Sequence, residues 1–256
     1  MTGNPTKSVL ANGGIALGTM IQDVRGSESV ALLKMAGFDY VLIDNEHTPL
    51  DLSAVSDMCR TARLCGITPI VRVPDTQYHL IARRLDAGAM GIMVPRIRTR
   101  EQVELAVECI KYPPIGKRGV SQPAMLTGYE PIGLPDYIKA TNEETMVVVQ
   151  VETKEAMDDL ENILSVPDVD GVLMGLNDLS VNLGVTDQNR GVVVEDAIDR
   201  VIEVCDEYGV APGLHIRDMD HILDCKRRGM RMLALNTDTG FMMDAASQAA
   251  KQMRAG

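Results

Sequence analysis

Short, unbroken apolar runs recur along the chain and alternate with longer stretches whose apolar positions follow helical spacing. The runs are Ile15–Thr19, Tyr40–Asp44, Pro69–Val73, Gly91–Pro95, Met146–Val151, Gly171–Gly175, Ala211–His215 and Met230–Asn236. Continuous apolar runs suit strands buried on both faces of a parallel sheet. The stretches between them are Ser27–Met35, Leu52–Cys65, Tyr78–Ala87, Arg100–Ile110, Lys154–Leu164, Glu195–Tyr208, Met219–Arg228 and Thr239–Met253, each amphipathic at the helical period. Several stop at a glycine before the next run, at Gly37, Gly66, Gly209 and Gly229, as helices commonly do. Eight strands alternating with eight helices in 256 residues predict an α/β chain folded as one domain over 1–256, a closed (β/α)8 TIM barrel. An open doubly wound sheet is the alternative.

One connection breaks the rhythm. Tyr112 to Thr145 joins the fourth helix to the fifth strand and is far longer than the usual few residues. It holds Pro113, Pro114, Pro123, Pro131 and Pro135 together with four glycines. It is expected to be a long loop, either a functional cover or an interface arm.

Composition narrows the picture. Apolar residues make up 45 %, enough for a large core, and 16 Met stand in for scarce aromatics. The formal net charge of −11 leaves no broad basic face and argues against nucleic acid as a partner. No apolar run is long enough to span a bilayer, and the polar start lacks the apolar stretch of a signal peptide. The five cysteines are odd in number and scattered, without a CxxC pair, and read as reduced thiols. Together these features predict a cytoplasmic protein with no membrane partner.

In a barrel, the carboxyl ends of the strands build the active site. Here those ends carry Asp44-Asn45-Glu46-His47, Arg72, Pro95-Arg96, Gln150 and Glu152, Asn177-Asp178, His215, and Asn236 with Asp238. Glu152 and Asp178 come from adjacent strands. Two carboxylates plus waters suit Mg2+ or Mn2+, hard ions that prefer oxygen. Taken singly, each acid is equally well placed to cap the helix that follows; taken together at one end of the barrel, they favour a metal site. Gln150, two residues before Glu152, shares its face and is placed to hold a metal-bound water. Arg72, inside an apolar strand, is read as a permanent cation facing an enolate or carboxylate, in preference to a structural ion pair with a neighbouring strand. His47 is a candidate acid or base oriented by Asp44 in a dyad; a loop histidine without a role is the default alternative. His215 is placed in the pocket lining by its strand-end position.

No lysine falls within a predicted strand. Schiff-base aldolases need a lysine in the pocket, so carbonyl activation here falls to a metal. No GxGxxG, P-loop or HExxH motif is present. The Gly116-Lys117-Arg118-Gly119 segment reads equally as an anion-binding turn or a plain one.

These residues resemble a known family. Asp44-x-Glu46-His47, Val71-Arg72-Val73-Pro74, Leu85-Asp86-x-Gly88-Ala89, the Tyr112–Gly119 segment, Val149-Gln150-Val151-Glu152, Asp170-Gly171 and Gly175-x-x-Asp178-Leu179 look like the HpcH/HpaI aldolases, in order and over nearly the whole chain. These are class II, metal-dependent aldolases of 2-oxo-3-deoxy and 4-hydroxy-2-oxo acids. The resemblance implies that Glu152 and Asp178 ligate Mg2+, Mn2+ or Co2+ and that Gln150 lines the metal site. It implies that His47 is the acid/base residue, supported by Asp44 and by Asp86, the latter from a neighbouring subunit. Arg72 would contact the ketone oxygen that becomes the enolate. The implied partners are a small 2-oxo acid and an aldehyde, and the implied assembly is a homohexamer, a trimer of dimers with the last helix swapped between neighbours.

The sequence departs from the family pattern in three places. Leu176 and Asn177 stand where Pro and Ala or Ser are frequent, at backbone positions that usually meet the pyruvate carboxylate. No arginine follows in 121–128, which suits an aldehyde without a second carboxylate. His215 occupies a commonly apolar position. A different enolate-forming lyase on the same scaffold, citrate-lyase-like or a 2-oxo acid decarboxylase, is the alternative activity. A metabolite-binding relative without catalysis is disfavoured by the presence of both carboxylates, Arg72 and His47.

Overall fold

The computed structural model describes residues 3–185 and 190–255. The chain opens with α1 (Pro5–Ala11), and then strands and helices alternate: β1 (Ala16–Ile21), α2 (Glu28–Met35), β2 (Tyr40–Asp44), α3 (Leu52–Cys65), β3 (Thr68–Arg72), α4 (Tyr78–Asp86), β4 (Gly91–Val94) and α5 (Arg100–Ile110). A short 3-10 turn (Ala124–Thr127) and α6 (Leu134–Glu144) lead to β5 (Met146–Val151), α7 (Lys154–Asp158), α8 (Leu160–Leu164), β6 (Gly171–Met174) and α9 (Leu176–Asn182). The chain ends with α10 (Arg190–Tyr208), β7 (Gly213–Ile216), α11 (Met219–Arg228), β8 (Met232–Thr237) and α12 (Asp238–Ala255). The eight strands pair in sequence order, all parallel, and β8 pairs back to β1 to close the barrel. The expected closed barrel is therefore the fold, and the open sheet is not.

Burial explains the apolar runs. Residues such as Val41, Ile43, Val71, Val147 and Val149 face outward into one layer shared with the helices. Alternate residues, including Tyr40, Leu42, Ile70, Met93, Val148 and Leu173, fill the barrel interior. Each such fully buried side chain contributes about 1.5–3 kcal/mol of hydrophobic stabilisation. Tyr40 occupies the interior so fully that a Cβ at Gly18, its register partner on β1, would lie 2.3 Å from the ring.

α1 packs against the amino ends of the strands, an element the apolar pattern does not signal. Leu10 joins the interior cluster, Thr6 Oγ1 donates to Thr68 Oγ1 at 2.8 Å, and Asn4 Nδ2 donates to the carbonyls of Met90 and Glu144 at 3.0 and 2.9 Å. This end of the barrel is sealed, and the opposite mouth is left for chemistry.

The segment expected to be a long loop is only partly one. α6 lies within it, with Pro135 in its first turn. Proline is tolerated there because its missing N–H is one of the unpaired donors of any helix start. The buried Lys111 fixes α6 to the end of α5, donating to the carbonyls of Asn142 and Thr145 at 2.7 and 2.8 Å. The expected helix 154–164 is likewise two short helices, broken at Asp159. The glycine stops hold: Gly66 and Gly209 take φ of 73° and 70°. The five cysteines are free thiols. Among the described residues no helix is long and apolar enough to cross a membrane.

Candidate active site

The carboxyl ends of the strands surround a cavity of about 840 Å³, lined among others by His47, Arg72, Gln150, Asn177, Asp178 and His215. That size is ordinary for a small-molecule site. β2 and β3 pair so that Asp44 sits opposite Arg72. Arg72 Nε and Nη2 donate to the two Asp44 oxygens at 3.0 and 2.8 Å. Asp44 is wholly buried and Arg72 nearly so. Burial alone would raise the Asp44 carboxyl, but the Arg72 guanidinium and the Glu46 and His47 amides hold it below its ordinary value.

This geometry corrects two expectations. The ion pair between neighbouring strands and the cavity-facing cation are the same Arg72, not alternatives. The Asp44–His47 dyad does not form through side chains. Asp44 Oδ1 accepts from the His47 backbone N–H at 3.3 Å, while its carboxylate is committed to Arg72. The His47 ring, 61 % exposed, lies 3.5 Å from Glu46 Oε2 instead.

Glu46 and Arg96 are the residues that strand-end reading did not single out. The Glu46 carboxylate is nearly buried and lies 3.4 Å from Arg72 Nη1 and 2.6 Å from Arg96 Nη1. It therefore ties His47 to two guanidinium groups. Arg96 adopts φ of 53°, an uncommon conformation for a residue with a side chain. That conformation accompanies a backbone N–H that donates to Glu152 Oε1 at 2.7 Å. The available signals were Glu46 beside His47 and an arginine two residues after β4.

Glu152 lies just past β5 and is 3 % exposed. Burial pushes its carboxyl up to about 7; the Arg96 N–H opposes this, and the Asp178 and Glu46 charges add to it. Gln150 Nε2 donates to Glu152 Oε2 at 2.5 Å, which leaves the buried Gln150 Oε1 without a partner. Asp178 lies in the first turn of α9, across the cavity rim. The link between β6 and α9 is Gly175, where a Cβ would fall 2.5 Å from Glu152 Oε2 and 2.9 Å from Gln150 Nε2. Two carboxylates that repel each other, with an orphaned amide oxygen nearby, are a donor set that a hard divalent cation satisfies. Among the described residues no three His, Cys, Asp or Glu side chains gather around one point. Waters and substrate oxygens would complete the shell.

Leu176 is buried at the start of α9, and Asn177 lines the cavity beside Asp178. Asp86 is elsewhere. It ends α4, ahead of β4 and thus at the sealed end, and binds Arg118 Nη2 at 2.6 Å. The basic turn is used internally too, since Lys117 pairs with Glu108 at 2.6 Å.

A family model described as HpcH/HpaI aldolase/citrate lyase matches residues 26–245. The chain belongs to the HpcH/HpaI aldolase/citrate lyase family. It is 32 % identical to a hydroxypyruvate/pyruvate aldolase of Paraburkholderia phytofirmans over 98 % of both chains. It is 33 % identical to a 4-hydroxy-2-oxo-heptane-1,7-dioate aldolase of Shigella sonnei, covering 98 % of this chain and 95 % of that one. The crystal structure of an HpcH/HpaI aldolase from Desulfitobacterium hafniense superposes with a TM-score of 0.92 at 29 % identity, over 97 % of this chain and 96 % of that one. As a member of this family, the chain has aldolases, which are carbon–carbon lyases, as its relatives, and the mouth of its barrel is where that chemistry belongs.

Proposed function

We propose that the chain is a metal-dependent, pyruvate-type aldolase. It would form or cleave the bond between the C3 carbon of a 2-oxo acid and the carbonyl carbon of an aldehyde. The observation that carries this reading is the buried Glu152 carboxylate, unsettled by burial and by Asp178 and bonded to Gln150, which lines one cavity with Arg72 and Asp178. Glu152 and Asp178 would hold Mg2+, Mn2+ or Co2+, which supplies a Lewis acid for the carboxylate and ketone of the 2-oxo acid. Arg72, fixed by Asp44 and Glu46, presents positive charge to the ketone oxygen as the C3–C4 bond breaks and its electron pair makes the enolate. His47, exposed to the cavity and flanked by Glu46, is the group placed to carry the proton between the C4 hydroxyl and solvent. Gln150 fixes one Glu152 oxygen, and Leu176 and Asn177 frame the cavity wall before Asp178. Asp86, at the other end of this chain's barrel, would act on His47 only from a neighbouring copy.

Assembly belongs to the same proposal. α12 has no buried residue along its 18 positions, which fits a helix exchanged between copies in a trimer of dimers. The relatives' small-molecule chemistry and the net charge of −11 both support small metabolites, rather than nucleic acid, as ligands.

Incubation with pyruvate and Mg2+ or Mn2+ in D2O tests the reading. Loss of the methyl proton signal in the wild type, and its retention with Glu152→Gln, is expected. A wild-type protein that exchanges no proton with either ion or with a second 2-oxo acid would sink it. An aldehyde panel then identifies the electrophile.

A further inference from the structure

His215 comes from β7, beside Ala234 of β8, and its ring lines the cavity. Its Nε2 lies 2.8 Å from the backbone carbonyl oxygen of Asn236. A carbonyl only accepts, so Nε2 must carry the proton. The carbonyl is itself held in place. Thr19 Oγ1 donates to it at 3.2 Å, and the Asn236 side chain is anchored on Asp244 at 3.1 Å. Burial pushes the imidazole below its ordinary pKa; the Asn236 carbonyl opposes this, and the Arg72 and Arg217 charges add to the lowering. The ring is therefore neutral at pH 7, with Nδ1 bearing a lone pair. Among the described residues no donor reaches Nδ1. The cavity thus presents a fixed hydrogen-bond acceptor on the wall contributed by β7.

The reactive oxygens of a 2-oxo acid and an aldehyde cannot satisfy it. Carboxylate, ketone and aldehyde oxygens are all acceptors. The C4 hydroxyl of the aldol product is the one His47 serves, so the group that fits is a further hydroxyl. We propose that His215 is a specificity-determining residue whose Nδ1 accepts a hydrogen bond from a substrate hydroxyl. The site would then prefer a hydroxylated reactant to its deoxy counterpart, either a 3-hydroxy-2-oxo acid as nucleophile or a 2-hydroxyaldehyde as electrophile. This rests on the aldolase reading above. It adds a substrate class that the metal carboxylates and Arg72 do not select, because those groups meet only the part common to all 2-oxo acids.

The test pairs pyruvate or hydroxypyruvate with acetaldehyde or glycolaldehyde, in wild type and in His215→Leu, with Mg2+ or Mn2+ present. The wild type is expected to favour one hydroxylated member by about tenfold in kcat/KM, the size of one well-made hydrogen bond at a built site. His215→Leu is expected to erase that ratio, and His215→Gln, which keeps an acceptor, to restore part of it. The nucleophile and electrophile arms show which reactant carries the recognised hydroxyl. A ratio near one in the wild type, or one unchanged in His215→Leu, overturns the proposal. Nitrogen-15 NMR of histidine-labelled wild type gives a reading that needs no folded variant. The Nδ1 resonance should move with hydroxypyruvate or glycolaldehyde and stay with pyruvate and acetaldehyde; equal responses overturn the proposal. Proton exchange of pyruvate by the wild type separates the two readings. Exchange with no hydroxyl preference removes the His215 role alone, whereas no exchange removes both.

Discussion

Arg72 and Asp44 are register partners on adjacent barrel strands, and two contacts of 3.0 and 2.8 Å lock the guanidinium against the carboxylate. Both groups are buried, so neither can relax into water if the other is removed. The pair sets the direction in which Arg72 can present its remaining Nη1 edge, which lies 3.4 Å from Glu46.

Asp44→Asn should therefore damage both stability and catalysis. Breaking one side of a buried ion pair costs about 3 kcal/mol, visible as a lower urea midpoint. The freed guanidinium loses its aim at the ketone oxygen, and misplacement by about 1 Å costs on the order of 100-fold in rate. Arg72→Lys should not compensate, because an ammonium cannot reproduce the two-pronged contact. An Asp44→Asn protein with wild-type midpoint and wild-type kcat would show that the pairing is incidental.

Gly175 offers a cleaner probe of the metal site than its ligands do. Neither carboxylate changes in Gly175→Ala, yet the new Cβ would press within 2.5 Å of Glu152 Oε2 and 2.9 Å of Gln150 Nε2. Glu152 and Gln150 must then give way. The expected result is an intact fold with Mn2+ affinity reduced about 10- to 100-fold, as for other disturbances of the groups supporting metal ligands. Calorimetric titration of Mn2+ measures it, and unchanged affinity would mean that Glu152 does not bind the ion.

Much of this site was legible in the sequence because one rule connects order to place: parallel strands end on the same face. That rule alone gathered Arg72, Gln150, Asp178 and His215 around one cavity, with Glu152 bonded to Gln150 behind its wall. It could not give register, and register is what turns Asp44 toward Arg72 rather than toward the His47 ring. Nor could it reveal the backbone conformation of Arg96, whose role is carried by an N–H that every residue but proline has. Asp86 follows another logic, since the resemblance places it in the site only from a neighbouring copy. It belongs to a helix end and lies at the sealed face of its own barrel. Proline counting misjudged Tyr112–Thr145, since Pro135 starts a helix instead of preventing one. α1 is too short for its periodicity to register, and its place depends on contacts with Thr68, Met90 and Glu144 far along the chain.

α12 is the element whose environment the single chain leaves incomplete. Met242, Met243 and Met253 are 57 %, 62 % and 85 % exposed, and the helix buries no side chain. In the proposed exchange these methionines meet a second copy. Met242→Lys with Met243→Lys should then convert an oligomer into smaller species while leaving the far-ultraviolet circular dichroism intact. Light scattering after size exclusion reads the mass. A monomeric wild type, or a double variant of unchanged mass, would reject the exchanged helix.

Lys111 predicts how stability follows pH. Its ammonium is fully buried at the α5–α6 junction. Burial pushes its pKa down to about 8 from 10.5, the Lys7 charge pushes the same way, and Asp170 and Asp168 oppose them. Between those two values the unfolded chain keeps the proton and the folded chain releases it. The unfolded state binds more protons there, so stability rises with pH across that window and levels off above it. The greatest slope one such group can give is about 1.4 kcal/mol per pH unit. Lys111→Met removes the proton but also strands the Asn142 and Thr145 carbonyls, so the variant should be less stable throughout. What identifies the lysine is the change of slope: urea unfolding at several values from pH 8 to 10 should show the rise in the wild type and its loss in Lys111→Met. Parallel curves offset by a constant amount would mean that Lys111 stays charged in the folded protein and serves only as a tether for α6.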